Sequence, residues 1–436
     1  MISTLRYLVI SLAASLLTDP TCLAENNAET GIASVNTTME PSLAFPADKQ
    51  IEEEMLAEQN LVIQNYEQMI AQLESSGGVY QGQISEVLSS LGASYQSLGR
   101  HTDAIAAFQR ALHISRVNDG LYSLNQLAIL EKLIESNSKL QDWKSLDNNY
   151  HNLYWISKRH YGENNPQMLA LIERIGRWHL RAYELQPKGE SFSHLLEAEH
   201  MYNKAVEIIE LQNGLQDIRL INALYGIALT NYQIAAEVSN AEDFEDIRSG
   251  YRDTDRTRRL LQAEQARQDL IMQSFTKGKD AMNHIVDIHA NNPILPVDTH
   301  AMALTHLGDW FLLFNKRNSA AETYDQAYQL LHNEGIDQSS IDQLFGQPRT
   351  LPAIRLPVQK EDELIPENPA YVLASFDVSA AGKAQNIQII EANPSDDVSH
   401  QRRARKSIAA TRFRPRYENG IPVITTGVNL RYVFTD

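Results

Sequence analysis

The most informative segment of the chain is Ser85–Arg116, SEVLSSLGASYQSLGRHTDAIAAFQRALHISR. At a period of 3.6 residues, its apolar and small residues fall on one face of each of two helices, with a turn at Leu98-Gly99. Small residues let two antiparallel helices approach closely, and aromatic residues fill the space that remains. One pair of helices leaves an apolar face uncovered, so further pairs are expected beside it. The inward-facing residues are Leu88, Leu91, Gly92, Tyr95, Ala104, Phe108 and Ala111.

The same pattern returns along the chain. A spacing of 42 residues leads to a degenerate copy that begins at Leu130 and to another that begins at Ile172, whose second helix is delayed by the turn-rich insertion Gln186–Ser191. A near-ideal copy begins at Leu304, with Gly308, Phe311, Ala320, Tyr324 and Ala327 at the matching positions. These residues resemble the tetratricopeptide (TPR) repeat, in the longer form found in kinesin light chains. An ordinary helical bundle is the alternative.

The predicted fold is mainly α: a TPR-type α-solenoid of antiparallel helix pairs, followed by a small α+β (β-β-α-β) domain. The TPR resemblance implies a concave groove, lined by the first helix of each pair, that binds a peptide or a helix of a protein partner. The positions that line this groove in the family correspond here to Glu86, Gln96, Glu131, Glu135, Glu173, Arg177 and Asp309.

The first 24 residues are typical of a secretory signal, with a basic Arg6, an apolar run from Tyr7 to Leu17 and a small residue at Ala24. We expect cleavage after Ala24 and a periplasmic location; an uncleaved anchor is the alternative. The lone cysteine, Cys22, lies in this segment, so the mature chain holds its fold by packing and not by disulfides. The expected organisation is a signal peptide (1–24), a disordered leader (25–50), the repeat array (51–335), a Pro-rich linker (336–365) and a C-terminal domain (366–436).

Beyond the prolines, the apolar period changes from 3.6 to 2. Tyr371–Val378 and Asn386–Glu391 are predicted strands around the Gly382 hairpin, Ser399–Thr411 a helix, and Val428–Phe434 a last strand. The segments YVLASFDVSAAGKAQNIQIIEANPSDD and RARKSIAATRFRPRYENGIPVITTGVNLRYVF resemble the C-terminal domain of TonB energy transducers. That resemblance places the last strand at a sheet edge, where a partner's segment can pair with it. The predicted edge residues are Val428, Asn429, Leu430, Arg431, Tyr432 and Val433.

The chain has a net charge of −17, yet basic residues outnumber acidic ones after Pro366. This basic patch has two interpretations: a solvated helix face, or a binding surface for an anionic partner such as a cell-wall polymer or an acidic peptide. An acidic helical array is a poor candidate for binding nucleic acid. The basic patch consists of Arg402, Arg403, Arg405, Lys406, Arg412, Arg414 and Arg416.

The sequence contains no catalytic or metal-binding motif, and its thirteen histidines are scattered. We therefore predict a protein that is not an enzyme and has no cofactor, no metal site, no small-molecule substrate and no nucleic-acid partner. The predicted function is a periplasmic protein-interaction scaffold, with an outer-membrane transporter or envelope complex as the class of partner. The alternative is a TonB-type energy transducer, or an accessory to one, retained in the inner membrane. We also expect the array and the C-terminal domain to fold independently.

Overall fold

The computed structural model describes residues 46–185, 191–240, 254–353, 370–418 and 420–434. The predicted signal peptide and residues 25–45 of the predicted leader lie outside these ranges. The chain is mainly helical, which confirms the predicted fold class. It divides into two compact units, of which one ends at Gly162 and the other runs from Glu163 to the C-terminus. Among the described residues, no helix is both long and apolar enough to cross a lipid bilayer.

The first unit is a succession of antiparallel helices. Its core contains the predicted inward-facing residues of the Ser85–Arg116 segment. In the helix before it, Ile63 and Ile70 are buried, and Val62 and Met69 are exposed. The helices are α1 (Pro46–Gly77), α2 (Gly82–Ser97), α3 (His101–Asp119), α4 (Gln126–Lys139) and α5 (Trp143–Tyr161).

Successive helix pairs of this unit are tied together by a recurring polar contact. Asn118 Nδ2 donates to the backbone oxygen of Tyr80 over 2.8 Å, and His160 Nε2 donates to that of Tyr122 over 2.6 Å. In both cases the acceptor lies 38 residues earlier. The contact therefore follows the repeat and joins the end of each second helix to the loop that precedes the pair.

A close approach between α2 and α3 explains the glycine at the centre of the repeat. A Cβ on Gly92 would lie 2.6 Å from the ring of Phe108, well inside van der Waals contact.

Gly92→Leu should therefore lower the free energy of unfolding by about 1–3 kcal/mol through overpacking. Repeats contact their neighbours alone, so faster hydrogen exchange should spread through α1–α4 and spare the C-terminal sheet. Ala93→Leu is the control, because Ala93 is exposed on the same helix. Equal destabilisation by both changes would contradict this account.

The second unit repeats the small-against-aromatic packing. A Cβ on Gly176 would lie 3.0 Å from Tyr202, and one on Gly308 would lie 2.6 Å from Tyr324. Trp310 is part of a large buried cluster in the same unit. A single 3-10 turn at Pro166–Met168 precedes the helices of this unit. They are α6 (Leu169–Leu185), α7 (Ser191–Asn213), α8 (Leu220–Asn240), α9 (Thr254–Asn291), α10 (Val297–Leu313), α11 (Arg317–Asn333) and α12 (Gln338–Phe345).

The predicted linker is partly structured. Its residues 338–345 form α12, which buries Ile341 and Phe345 against α11, and Arg349–Thr350 form the short strand β1. Prolines stop helices and remove backbone donors. Here Pro348 follows α12 and Pro352 follows β1, so neither proline interrupts an element. Residues 354–369 lie outside the described ranges.

The C-terminal region has the predicted order of strand, strand, helix, strand. Its main elements are β2 (Tyr371–Val378), β3 (Ala384–Asn393), α13 (Val398–Ala410) and β7 (Thr425–Val433). Between the last two lie β4 (Phe413–Arg414), β5 (Arg416–Glu418) and β6 (Ile421–Val423). The antiparallel sheet has the strand order β3-β2-β7. Alternate residues of β2 are buried, as a period of two requires: Val372, Ala374, Phe376 and Val378.

The segment around β4 joins this sheet to the last helix pair. Strand β4 pairs with β1, and Phe413 N donates to the backbone oxygen of Gly382 over 3.0 Å. Gly382 has a φ of 70°, and a Cβ there would lie 2.0 Å from Phe413 O, so the position requires glycine. Tyr417 is buried in the same core as Tyr324. Tyr417 of the C-terminal region thus lies in one core with the last helix pair, and the sheet β3-β2-β7 has buried clusters of its own.

Candidate functional site

Four of the predicted groove residues lie in the first unit. Glu86 is exposed on α2, and Glu131 and Glu135 are half-buried on α4. Gln96 Nε2 donates to Ser136 Oγ over 3.0 Å, which joins α2 to α4. Glu135 pairs with Lys132 over 3.1 Å, but both side chains remain more than 40% exposed, so this pair contributes little to stability. These four polar side chains are all at least partly exposed to solvent.

Two further predicted groove residues lie on α6 in the second unit. Burial raises the pKa of Glu173, and the charge of Arg177 opposes that rise. Two turns after Arg177, burial raises the pKa of Glu184 to about 7, although Arg181 lies 3.4 Å away. The Nε atoms of Arg177 and Arg181 are buried and have no hydrogen-bond partner among the described residues. Arg181 and Glu184 were missed in the sequence, although their spacing from Arg177 places them along the same side of α6.

The last predicted groove residue, Asp309, does not line an open groove. Its carboxylate is 1% exposed and accepts a 2.7 Å hydrogen bond from the hydroxyl of Tyr324. Arg414 of β4 occupies the position expected for a ligand: its Nε donates to Asp309 over 2.8 Å, and its Nη2 also bonds to the same carboxylate. The Arg414 Nη1 donates to Leu344 O over 3.0 Å. The last pair of helices therefore already holds an arginine from its own chain.

The predicted basic patch is not one continuous surface, because Arg414 is bound to Asp309. Arg414 is 1% exposed, because it is buried with Asp309, and it is not part of a surface. Arg412 bonds to Asn315 over 2.8 Å, and Arg416 pairs with Glu418 over 2.7 Å. Arg403 lies over the ring of Phe434. The exposed cations that remain are Arg402, Arg405 and Lys406, on one side of α13.

The predicted edge strand lies at the border of the sheet. Strand β7 pairs with β2 on one side, and no other described strand pairs with it. Val428 and Leu430 pack against the core, Tyr432 is buried, Val433 is half-buried, and Asn429 and Arg431 are exposed. The guanidinium of Arg431 lies 3.8 Å from the centre of the Tyr371 ring, and Tyr371 donates a hydrogen bond to Glu391. This row of side chains crosses all three strands on the outer face.

A second polar contact near Asp309 was also missed in the sequence. The Tyr225 hydroxyl on α8 and His306 Nδ1 on α10 lie 2.9 Å apart. Burial lowers the pKa of His306 to about 4, so this imidazole is neutral at pH 7. Burial also raises the pKa of Tyr225. A lone histidine in a helical pattern carries no local signal for such a contact, because its partner lies 81 residues away.

The sequence matches no protein-family model and no curated protein. Solved structures that match this chain include BtubC (BKLC) from P. vanneervenii, with 12% identity, a TM-score of 0.34, and coverage of 72% of this chain and 98% of that one. Another is a kinesin light chain-like protein from Podosopora anserina with nearly identical TPR-like repeats. It has 12% identity, a TM-score of 0.35, and coverage of 58% of this chain and 99% of that one.

The helix pairs themselves establish the architecture of the chain. Gly92 against Phe108, Gly176 against Tyr202 and Gly308 against Tyr324 are three instances of one packing arrangement. Stacked pairs of this kind form extended surfaces that bind other proteins. The chain is therefore built of TPR-like helix pairs, with a small β-sheet region at its C-terminal end.

Proposed function

We propose that this protein is a non-enzymatic scaffold, exported to the periplasm, that binds a partner protein by strand addition to β7. The proposed location rests on the composition of residues 1–24. The proposed partner class, an outer-membrane transporter or another envelope complex, rests on the resemblance of the C-terminal segments to TonB energy transducers. The helical array supports the scaffold role, because repeat arrays present broad surfaces without catalytic groups.

The observation that carries the proposal is the free side of β7. This strand is nine residues long and pairs with β2 alone among the described strands. An unpaired edge presents backbone donors and acceptors to any extended segment, and natural edges of this length are usually covered or used. The stacking of Arg431 on Tyr371 holds the outer face of the edge in place without blocking its backbone. Pro422 precedes the strand, and no proline lies within it.

The array groove is proposed as a second contact for a basic segment of the partner. Asp309 and Glu135 occupy equivalent positions, each five residues after the first leucine of its repeat (Leu304 and Leu130). At the first of these positions the chain holds its own Arg414. At the second, the carboxylate is accessible and bound to Lys132 by an exposed pair. We infer that Glu135, with Glu86 and Glu131 nearby in the same unit, receives a lysine or arginine of the partner.

The test compares Arg431→Pro with Arg431→Ala in a pull-down from the fluid released by osmotic shock. Proline removes a backbone donor and disrupts the ladder, so partner capture should fall at least about tenfold. Alanine removes the stacking on Tyr371, which contributes about 0.5–1 kcal/mol at an exposed site, and should leave capture nearly unchanged. Circular dichroism checks that both variants keep the sheet.

Other outcomes have distinct meanings. Equal loss in both variants would show that the Arg431 side chain, and not the edge, binds the partner. Undiminished capture in both would place binding in the groove, where Glu135→Gln should then weaken it. Recovery of the uncleaved chain in the inner-membrane fraction alone would contradict the periplasmic location and favour the energy-transducer alternative.

A further inference from the structure

Two histidines of the second unit meet between α6 and α7. The Nδ1 atoms of His179 and His194 lie 2.9 Å apart, and their rings are inclined by 33° with centroids 5.1 Å apart. His194 is 8% exposed, and His179 is half-buried. The sequence gives no sign of this pair, because the two residues belong to different helices joined by the insertion after Leu185. The fold therefore brings together two imidazole nitrogens that the spacing of the histidines does not predict.

The separation of these nitrogens suits a shared metal ion. Imidazole nitrogens bind late first-row divalent metals at about 2.0–2.1 Å, so two adjacent ligands of one ion lie roughly 3 Å apart. A hydrogen bond between two neutral imidazoles has a similar length and fixes a tautomer in each ring, so the distance alone fits both arrangements and the metal titration below separates them. Imidazole ligands favour Zn²⁺, Cu²⁺ and Ni²⁺ over Mg²⁺ and Ca²⁺. No thiolate competes within the array, because Cys22 is the lone cysteine of the chain.

We propose that His179 and His194 together bind one late first-row divalent metal ion through their Nδ1 atoms. Water or a carboxylate completes the coordination. The ion links α6 to α7, the first helix pair of the second unit, and stabilises the pair against separation. This role is structural and does not depend on the partner proposed above. Binding requires both imidazoles to be unprotonated, so affinity falls as the pH falls.

The experiment uses the untagged protein after removal of metals with a chelator. Titration with Cu²⁺ should give one tight equivalent per chain, with an electron paramagnetic resonance spectrum of at least two nitrogen ligands. Zn²⁺ should compete with Cu²⁺ and raise the Tm, because a ligand that binds the folded state stabilises it. His179→Gln should weaken Cu²⁺ binding by at least about tenfold. His200→Gln is the matched control, since His200 is exposed on the same helix as His194.

Three results would overturn the proposal. Tight binding that survives His179→Gln would place the metal at other histidines. A wild-type spectrum with a single nitrogen ligand would show that the pair does not act together, and this measurement does not depend on how any variant folds. The lack of any tight equivalent in the wild-type protein would show that His179 and His194 form a hydrogen bond and no metal site.

Discussion

Arg414→Met should lower the free energy of unfolding of the second unit by about 3–5 kcal/mol. The change leaves the Asp309 carboxylate buried without its cation, and it also removes the donor to Leu344 O. Tyr324 remains bonded to Asp309, but a hydroxyl does not neutralise a charge. Burial, together with the charge of Asp309, raises the pKa of Tyr324 well above its usual value, so its hydroxyl stays neutral and remains a hydrogen-bond donor to the carboxylate.

Urea unfolding measures the loss, with Arg405→Met as a control at an exposed position of α13. The control should change stability by less than about 0.5 kcal/mol. The double variant Asp309→Leu with Arg414→Met should recover much of the loss, because replacing both charges by apolar groups removes the unpaired carboxylate. If the two single changes simply added in the double variant, the two side chains would not be energetically coupled.

Because this pair joins β4 to α10, we expect the C-terminal sheet and the last helices to unfold together. Hydrogen exchange in Arg414→Met should therefore accelerate together in α10, α11 and the sheet β3-β2-β7. Tyr417 and Leu351, which lie in one core with Tyr324, provide the apolar part of this connection. Faster exchange confined to β4 and its neighbours would show that the sheet is held by its own core alone.

Protonation of His306 should destabilise the second unit between about pH 6.5 and pH 4, and protonation of Glu184, whose pKa burial raises to about 7, contributes in the opposite direction. Burial lowers the pKa of His306 to about 4, whereas a histidine in the unfolded chain has a pKa of about 6.5. In this window the unfolded state binds a proton that the folded state does not, so stability is fully present above pH 6.5 and falls as the pH falls. A difference of this size corresponds to about 3 kcal/mol at pH 4, and little further loss from His306 follows below that value.

His306→Gln tests the assignment, because glutamine accepts the Tyr225 hydrogen bond and does not titrate. Its stability should fall about 3 kcal/mol less than that of the wild type over the same range. The pH dependence that remains in this variant reflects His289 and His300, whose pKa burial lowers, and Glu184, whose pKa burial raises. His113→Gln, at an exposed position of α3, is the control and should follow the wild-type profile. Identical profiles for wild type and His306→Gln would exclude His306 as the source.

Local periodicity predicted the elements well. Leu88, Gly92 and Phe108 lie at helical spacings. Gly92 and Phe108 pack within one helix pair, so their contact could be predicted from that repeat alone. Tyr371–Val378 was predicted with the bounds that the structure has, because alternation is a property of the strand itself. The helix at 338–345 was missed, because the prolines that follow it led to the prediction of a linker over the whole stretch.

The candidate site was harder to predict, because its contacts join distant parts of the chain. Asp309 was placed in the groove from its repeat position, which is correct for the helix, but Arg414 fills that place from 105 residues away. Arg414 itself looked like one more cation of a basic run. Sequence spacing does not reveal this pair. The bond between Asp309 and Arg414 forms because the sheet region packs on the last helix pair.

The sequence alone therefore determined which segments form paired helices, where the period changes to that of a sheet, and which strand comes last. These properties depend on residues within a few positions of each other. Tertiary structure alone decided that the Asp309 groove is filled by Arg414, that β7 keeps one side unpaired by described strands, and that His179 meets His194. The physical reason is that burial and pairing of polar groups depend on which surfaces come together in three dimensions, and a one-dimensional pattern does not specify those surfaces.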